Sequence, residues 1–175
     1  LFRMESLVVT VIGKDRPGLV ESVAAVVEEH GGSWVESRMS RLAGEFAGIL
    51  RVSVPSANVD ALSSGLEGLR TGGLRVAVER GVEESADEGT VVLLELVGGD
   101  RPGIVHAISE ALAAREVNVD ELNTECEGAP WSGDTLFKAT ARLRAPASLD
   151  LDQLRESLEA IAGDLMVDVS IGELD

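Results

Sequence analysis

The chain has 175 residues, 45% of them hydrophobic and only 3% aromatic, with 15 basic against 31 acidic side chains and a net charge of −16. Such a composition supports a core of Val, Leu, Ile and Ala, and it speaks against direct binding to nucleic acid or to an anionic membrane surface, since both draw on Lys and Arg. One cysteine, Cys126, permits no internal disulfide, two histidines and one cysteine do not make up a zinc site, no cofactor is called for, and no apolar run approaches the length of a membrane span.

Leu1-Phe2-Arg3 ahead of Met4 reads as an addition, and no signal peptide is apparent, so a cytoplasmic location is expected. Leu7 to Ile12 is a β-branched run that reads as a buried strand. The loop Asp15-Arg16-Pro17-Gly18 follows, with Pro17 expected as the first helical residue, where its missing N–H costs nothing. Leu19, Val20, Val23, Val26 and Val27 then recur at helical spacing until Gly31-Gly32. Two extended segments, Trp34 to Leu42 and Phe46 to Val54, flank a turn at Ala43-Gly44 and close at Pro55. Asn58 is the expected N-cap of a second helix with its stripe at Val59, Leu62, Leu66 and Leu69. Gly72-Gly73 ends it, and Leu74, Val76 and Val78 alternate as a strand. The order is β-α-β-β-α-β.

The segment 81–89 is acidic and poor in apolar residues, and it reads as a linker. The same unit then recurs. Val91 to Val97 is its first strand, and Asp100-Arg101-Pro102-Gly103 is its loop. Ile104, Val105, Ile108, Ala111 and Leu112 form its first helical stripe. Leu151, Leu154, Leu158 and Ile161 repeat the stripe of the second helix, with Asp150 as cap, and Leu165 to Ile171 is the last strand. Asp15 and Asp100 lie 85 positions apart, whereas Phe46 and Phe137 lie 91 apart, so six residues were added in between; the turn-rich stretch from Glu127 to Gly133 is the expected place. One more residue entered just after Pro146. The expected domains are 5–80 and 90–175, joined by 81–89, and such small units are expected to pack on each other. Charge is uneven: residues 1–85 carry 9 basic and 12 acidic side chains, net −3, and 86–175 carry 6 and 19, net −13.

The fold class is therefore α+β: two ferredoxin-like βαββαβ units, each an antiparallel sheet with its helices on one face. The duplicated loop is the candidate site. It joins a strand end to a helix start, where first-turn N–H groups lack partners and the helix dipole favours an anion. Gly18 and Gly103 have no Cβ, so a ligand can approach the backbone. Asp15 and Asp100 put a carboxylate alongside, and N–H donors beside one carboxylate match both ends of an α-amino acid. A turn fixed by its Asp, with no ligand, is the other reading of the same residues.

The stretches GKDRPGLVESVAAVVEEHGG and SRMSRLAGEFAGILRVSVP in the first copy, and GGDRPGIVHAISEALAAREVNVDEL in the second, resemble ACT domains, the small-molecule sensing modules of amino-acid metabolism. Two in tandem without a catalytic domain resemble the glycine cleavage system transcriptional repressor family. The resemblance implies effector contacts from the loop, at Asp15, Arg16, Pro17, Gly18 and Leu19 or at Asp100, Arg101, Pro102, Gly103 and Ile104. It also implies a contact from the start of the second strand, at Ser33 or Asn118. With Asp100 and Asn118, the second copy is the stronger expectation. It further implies units packed edge to edge, within the chain or between chains, and hence a homo-oligomer.

Trp34 and Trp131 are candidate pocket walls, while His30, His106 and Cys126 lack the neighbours that catalysis needs. Arg38 and Arg41 are candidates for holding a carboxylate. No nucleophile elbow, phosphate loop, metal-ligand pair or dinucleotide fingerprint is present, so no enzymatic activity is expected. The expectation is an amino-acid-sensing regulator, for glycine or a similar effector, that acts through a protein partner. A regulatory subunit of a metabolic enzyme and a ligand-free assembly scaffold are the alternatives.

Overall fold

A computed structural model describes residues 3–82, 89–128, 131 and 133–174. Within the expected linker, residues 83–88 lie outside the described residues, as do Leu1, Phe2, Ala129, Pro130 and Ser132. The chain divides into two compact units, Leu1–Glu84 and Ser85–Asp175.

The first unit runs β1 (Met4–Lys14), α1 (Leu19–Glu29), β2 (Ser33–Leu42), β3 (Glu45–Pro55), α2 (Val59–Glu67) and β4 (Arg75–Arg80), with short 3₁₀ turns before and after α2. The second runs β5 (Thr90–Gly99), α3 (Ile104–Ala113), β6 (Asn118–Gly128), β7 (Thr135–Ala145), α4 (Leu151–Leu165) and β8 (Val167–Glu173). Each sheet is four-stranded, ordered β2-β3-β1-β4 and β6-β7-β5-β8, and its paired strands run antiparallel. These are two ferredoxin-like units, as the repeat implies.

The period of two sends alternate residues of the central strands to one face. Leu7, Val9 and Val11 of β1 and Leu50, Val52 and Val54 of β3 are buried, and α1 and α2 cover them with Leu19, Val23, Val27, Val59, Leu62 and Leu66. The second unit repeats this with Leu94 and Leu96 under Ile104, Ile108 and Leu112, and with Leu154 and Leu158 from α4. Among the described residues no polar or charged residue is buried. Val20 and Val105, both expected on the buried stripe, stand 47% and 44% exposed on the flank of their helices.

Three local expectations are corrected. Pro17 is not the first helical residue. Gly18, at φ 89° and ψ 2°, holds the third position of a type II turn, and the right-handed helix can only begin after it, at Leu19. Gly103, at φ 92° and ψ 0°, repeats the arrangement before Ile104. Asn58 does not cap α2. The 3₁₀ turn ahead of it leaves it at φ −102° and ψ −1°, not extended, and its amide donates to the carbonyl of His30 instead. The residue added after Pro146 frees Asp150 to take extended angles, and its carboxylate accepts from the N–H groups of Asp152 and Gln153. Of the stretch expected to hold the insertion, Glu127 and Gly128 belong to β6, which ends there, and Ala129, Pro130 and Ser132 lie outside the described residues; β7 begins at Thr135, whereas β2 and β3 of the first unit are joined by Ala43-Gly44.

The ends of α1 and α3 differ in an instructive way. Gly31, at φ 72°, and Gly32 donate to the carbonyls of Glu28 and Val27, the Schellman pattern. In the second unit Glu116 and Val117 donate to Ala113 and Leu112 in the same pattern, but Glu116 must hold φ 58° with a side chain. Glu116→Gly should therefore raise the stability of the second unit by about 1 kcal/mol, and Asp150→Ala should lower it by about 1 kcal/mol. Calorimetric melting of the two variants reads both shifts.

Candidate functional site

Each loop is built by the same means. Asp15 N–H donates to Gly44 and Asp100 N–H to Thr135, which fixes the loop against the β2–β3 or β6–β7 turn. The left-handed glycine then aims the chain into the helix. The carbonyl of Gly18 accepts from the N–H of Ser22 at 2.9 Å and from its hydroxyl at 2.8 Å, and that of Gly103 accepts from Ala107 N–H at 3.0 Å. No side chain caps α1 or α3. A Cβ at Gly18 or Gly103 would meet nothing within 4 Å, so the space in front of both helix starts is open.

The guanidinium of each loop arginine is tied to a backbone carbonyl. Arg16 donates to the carbonyl of Gly72 at 2.7 Å, and Arg101 to that of Leu165 at 3.4 Å. Arg16 thus reaches the end of the 3₁₀ turn that follows α2, and Arg101 the carbonyl end of α4, where a cation complements the dipole and an acceptor. Leu19 and Ile104 send their side chains into the core, at 4% and 3% exposed, and so offer the loop only their backbone.

The two loops differ in charge. At the first, Asp15 lies 3.8 Å from the Arg41 guanidinium, and Glu21 occupies the first turn of α1. An open depression of about 460 Å³ lies there, walled by Asp15, Arg16, Gly18, Val20, Glu21 and Phe46. At the second, the positions matching Arg41 and Glu21 are Cys126 and His106. Asp100 thus faces no arginine from that strand, and the first turn of α3 carries no acid. His106 pairs along the helix with Glu110 at 3.6 Å.

The strand register separates the predicted partners. Asp100 is bonded at Thr135, whereas Asn118 pairs with Arg144, nine residues further along β7. At about 3.3 Å per residue that is roughly 30 Å. Ser33, paired with Ser53, is equally far from Asp15, bonded at Gly44. Within one unit, therefore, no single amino acid can touch both. Asn118 itself donates to Asp120 at 2.7 Å, and Asp120 accepts from Arg144 at 2.8 Å.

Of the remaining candidates, Trp34 packs against the first core and donates to Ser37, while Trp131 is 98% exposed. His30 lies against Val26 with a ring nitrogen 2.8 Å from its carbonyl, and Cys126 is exposed. Among the described residues no cluster of three or more His, Cys, Asp or Glu fits a metal ion, and no helix is long and apolar enough to cross a membrane. Reasoning from sequence missed the tie made by Arg16 and Arg101 and the place of Phe46 in the depression. The recurrence of Arg16 and Arg101 at the same place in both loops was the available signal.

The ACT domain family model matches residues 5–78. Those residues are similar to ACT domains. The second unit shares its topology and is ACT-like. Over the full chain, the glycine cleavage system transcriptional repressor of Escherichia coli (strain K12) is 23% identical across 167 residues, covering 94% of this chain and 88% of that protein. A crystal structure of an unknown protein from Galdieria sulphuraria is 29% identical, covers 99% of this chain and all of its own, and superposes with a TM-score of 0.89. A candidate glycine cleavage system transcriptional repressor of known structure shares the fold, with a TM-score of 0.70 at 21% identity and 98% of each chain covered.

If the loop arginines tie each ACT-type loop to the chain at or just after its second helix, Arg16→Ala should speed amide exchange at residues 13–18 and 70–74. It should cost about 1 kcal/mol. Arg101→Ala, with its longer contact, should cost less; hydrogen exchange with mass readout and denaturant melts distinguish the two.

Proposed function

We propose that this chain is a regulator without a reaction of its own, that it senses a small α-amino acid such as glycine, and that it signals through a protein partner. The observation that carries this reading is the pair of uncapped helix starts, each opened by a left-handed glycine and flanked by an aspartate. The ligand carboxylate would sit at the first-turn N–H groups and its ammonium at Asp15 or Asp100. The second unit suits this pairing better. No Arg41 equivalent competes for Asp100, and His106 replaces an acid that would repel the ligand carboxylate. The first unit has the depression, but Arg41 lies 3.8 Å from Asp15 there and would compete with the ligand ammonium.

Because Asp100 and Asn118 stand at opposite ends of one sheet, an effector that meets both types of residue must be shared by two units. Effector binding would then be coupled to assembly, and the free energy of the shared contacts would shift the population of assembled states. The net charge of −16 favours a protein partner over DNA as the target of that signal. The relation to the Escherichia coli repressor supports a regulatory role of this kind.

A ligand as small as glycine, at a ceiling of about 1.5 kcal/mol per non-hydrogen atom, binds no tighter than about micromolar. Titration calorimetry with a panel of amino acids at millimolar concentration should show saturable heat for at least one of them. Asp100→Ala should weaken it by about tenfold or more, a loss of about 1.4 kcal/mol, and Asp15→Ala should weaken it less. No heat and no thermal shift with any amino acid would leave the scaffold reading; a retained heat in Asp100→Ala would move the site elsewhere. A salt-resistant shift of duplex DNA by the chain alone would overturn the partner argument, and co-purification of a metabolic enzyme would favour the regulatory-subunit reading.

A further inference from the structure

Alternation leaves each sheet a second face, turned away from its helices. In the first unit Val8, Thr10 and Ile12 of β1 lie on it, between the buried Leu7, Val9 and Val11. The register sets their neighbours in three rows. Arg38, Ile49, Thr10 and Ala77 form the middle row. Glu36, Arg51, Val8 and Glu79 form the row on one side, and Ser40, Ala47, Ile12 and Arg75 the row on the other. The centre of this face is therefore aliphatic but for the Thr10 hydroxyl, and Ile49 is 53% exposed on it. Charge stands around the centre: Arg51 donates to Glu36 at 2.9 Å, Arg38 lies on the outer strand β2, and Glu79 and Arg75 lie on the outer strand β4.

The matching face of the second unit differs at its centre. Glu95 stands where the first unit has Thr10, and its strand neighbours are Thr140 and Ser170. Thr140 and Lys138 replace Ile49 and Ala47. That face suits water, as one side of an antiparallel sheet commonly does. The aliphatic centre of the first unit, ringed by charges, has instead the make-up of a surface that meets protein.

We propose that this face of the first unit packs on the same face of a second copy of the chain, about a two-fold axis that crosses the strands at the row of Thr10. Such an axis lays each strand antiparallel over its own copy, in the aligned manner of sheets stacked about 10 Å apart. Ile49, Thr10 and Ala77 then meet their own counterparts, and Val8 meets the partner's Ile12. On β4, Glu79 meets the partner's Arg75 and Arg75 meets the partner's Glu79, so the opposite charges match twice. Arg38 meets the partner's Arg38 at the rim, where water and salt screen the pair. An axis along the strands is the wrong one, because it sets Glu36 over the partner's Glu79. The second unit of another copy is the wrong occupant, because either axis presses the Glu95 carboxylate onto Thr10 or Ile49 without a cation to meet it. With strands about 4.8 Å apart and a rise of about 3.4 Å per residue, the face measures roughly 20 by 30 Å. Two copies would bury on the order of 1,200 Å², the lower end for a specific interface. No strand edge takes part, so this contact stands whatever pairs with the outer strands and whether or not an amino acid binds the loops.

Sedimentation velocity of the full chain, from micromolar to millimolar, should show a pairwise association step. Ile49→Lys should weaken that step by about tenfold or more. Glu79→Arg should weaken it as well, by setting arginine against the partner's Arg75, and adding Arg75→Glu should restore it. Asp168→Arg, on the matching face of the second unit, should leave it unchanged. These four positions are exposed, so circular dichroism should read the same fold in every variant. A chain that does not associate in that range, an association indifferent to Ile49→Lys, or a Glu79→Arg defect that Arg75→Glu fails to relieve would each overturn the proposal. So would an equal loss in Asp168→Arg, since it would make the second unit the occupant.

Discussion

The left-handed glycine between proline and helix is the constraint on which each unit turns. Gly18 and Gly103 take a backbone conformation that a side chain would strain, and in doing so they stop the extended chain and start the helix two residues after the proline. Everything nearby follows from that start. It sets the phase of α1 and α3, so that Leu19 and Ile104 point into the core while Val20 and Val105 point out. It leaves the first-turn N–H groups facing open space. It also sends the nearby arginine to a carbonyl at the end of the 3₁₀ turn after α2 or at the end of α4, which ties loop, helix start and helix end into one corner.

Around that fixed corner the two copies have drifted in different ways. The central strands keep their alternation, and the helical stripes keep their spacing, because a one-residue slip would turn a buried face to water. The edges are freer. The first unit closes its edge with Trp34 and Met39 and sets Arg41 3.8 Å from Asp15; the second replaces these with Val119, Thr124 and Cys126 and gathers carboxylates on β6. The corner thus carries the likeness between the units, and the edge strand carries their difference in chemistry.

The fold was largely legible because its signals are local. Val59, Leu62, Leu66 and Leu69 announce one face of a helix, and the alternation at Leu74, Val76 and Val78 announces a strand. The duplication then doubled each signal and let the six added residues be assigned to a hairpin. The misreadings came where a neighbour competes for a residue. Pro17 suits a helix start by itself, but the φ of Gly18 forbids it. Asn58 suits a cap by itself, but the 3₁₀ turn before it and the His30 carbonyl claim it. Asp150 has the same role in the pattern and does cap, because one added residue changes its backbone angles.

The sequence by itself determined that two similar βαββαβ units exist, where their helices and strands run, and that each carries an aspartate and a glycine in the loop between its first strand and first helix. Hydrophobic period and turn chemistry act over a few residues, so they can be read without knowing what lies across the sheet. Only the tertiary structure decided which of the candidate residues meet. The antiparallel register sets Asp100 and Asn118 at opposite ends of one sheet, turns Arg16 and Arg101 onto distant backbone carbonyls, and lines up Asp120, Glu121, Glu125 and Glu127 along one outer strand. Those relations depend on which strand pairs with which and in what register, over separations of tens of residues, and no local pattern in the chain carries that information.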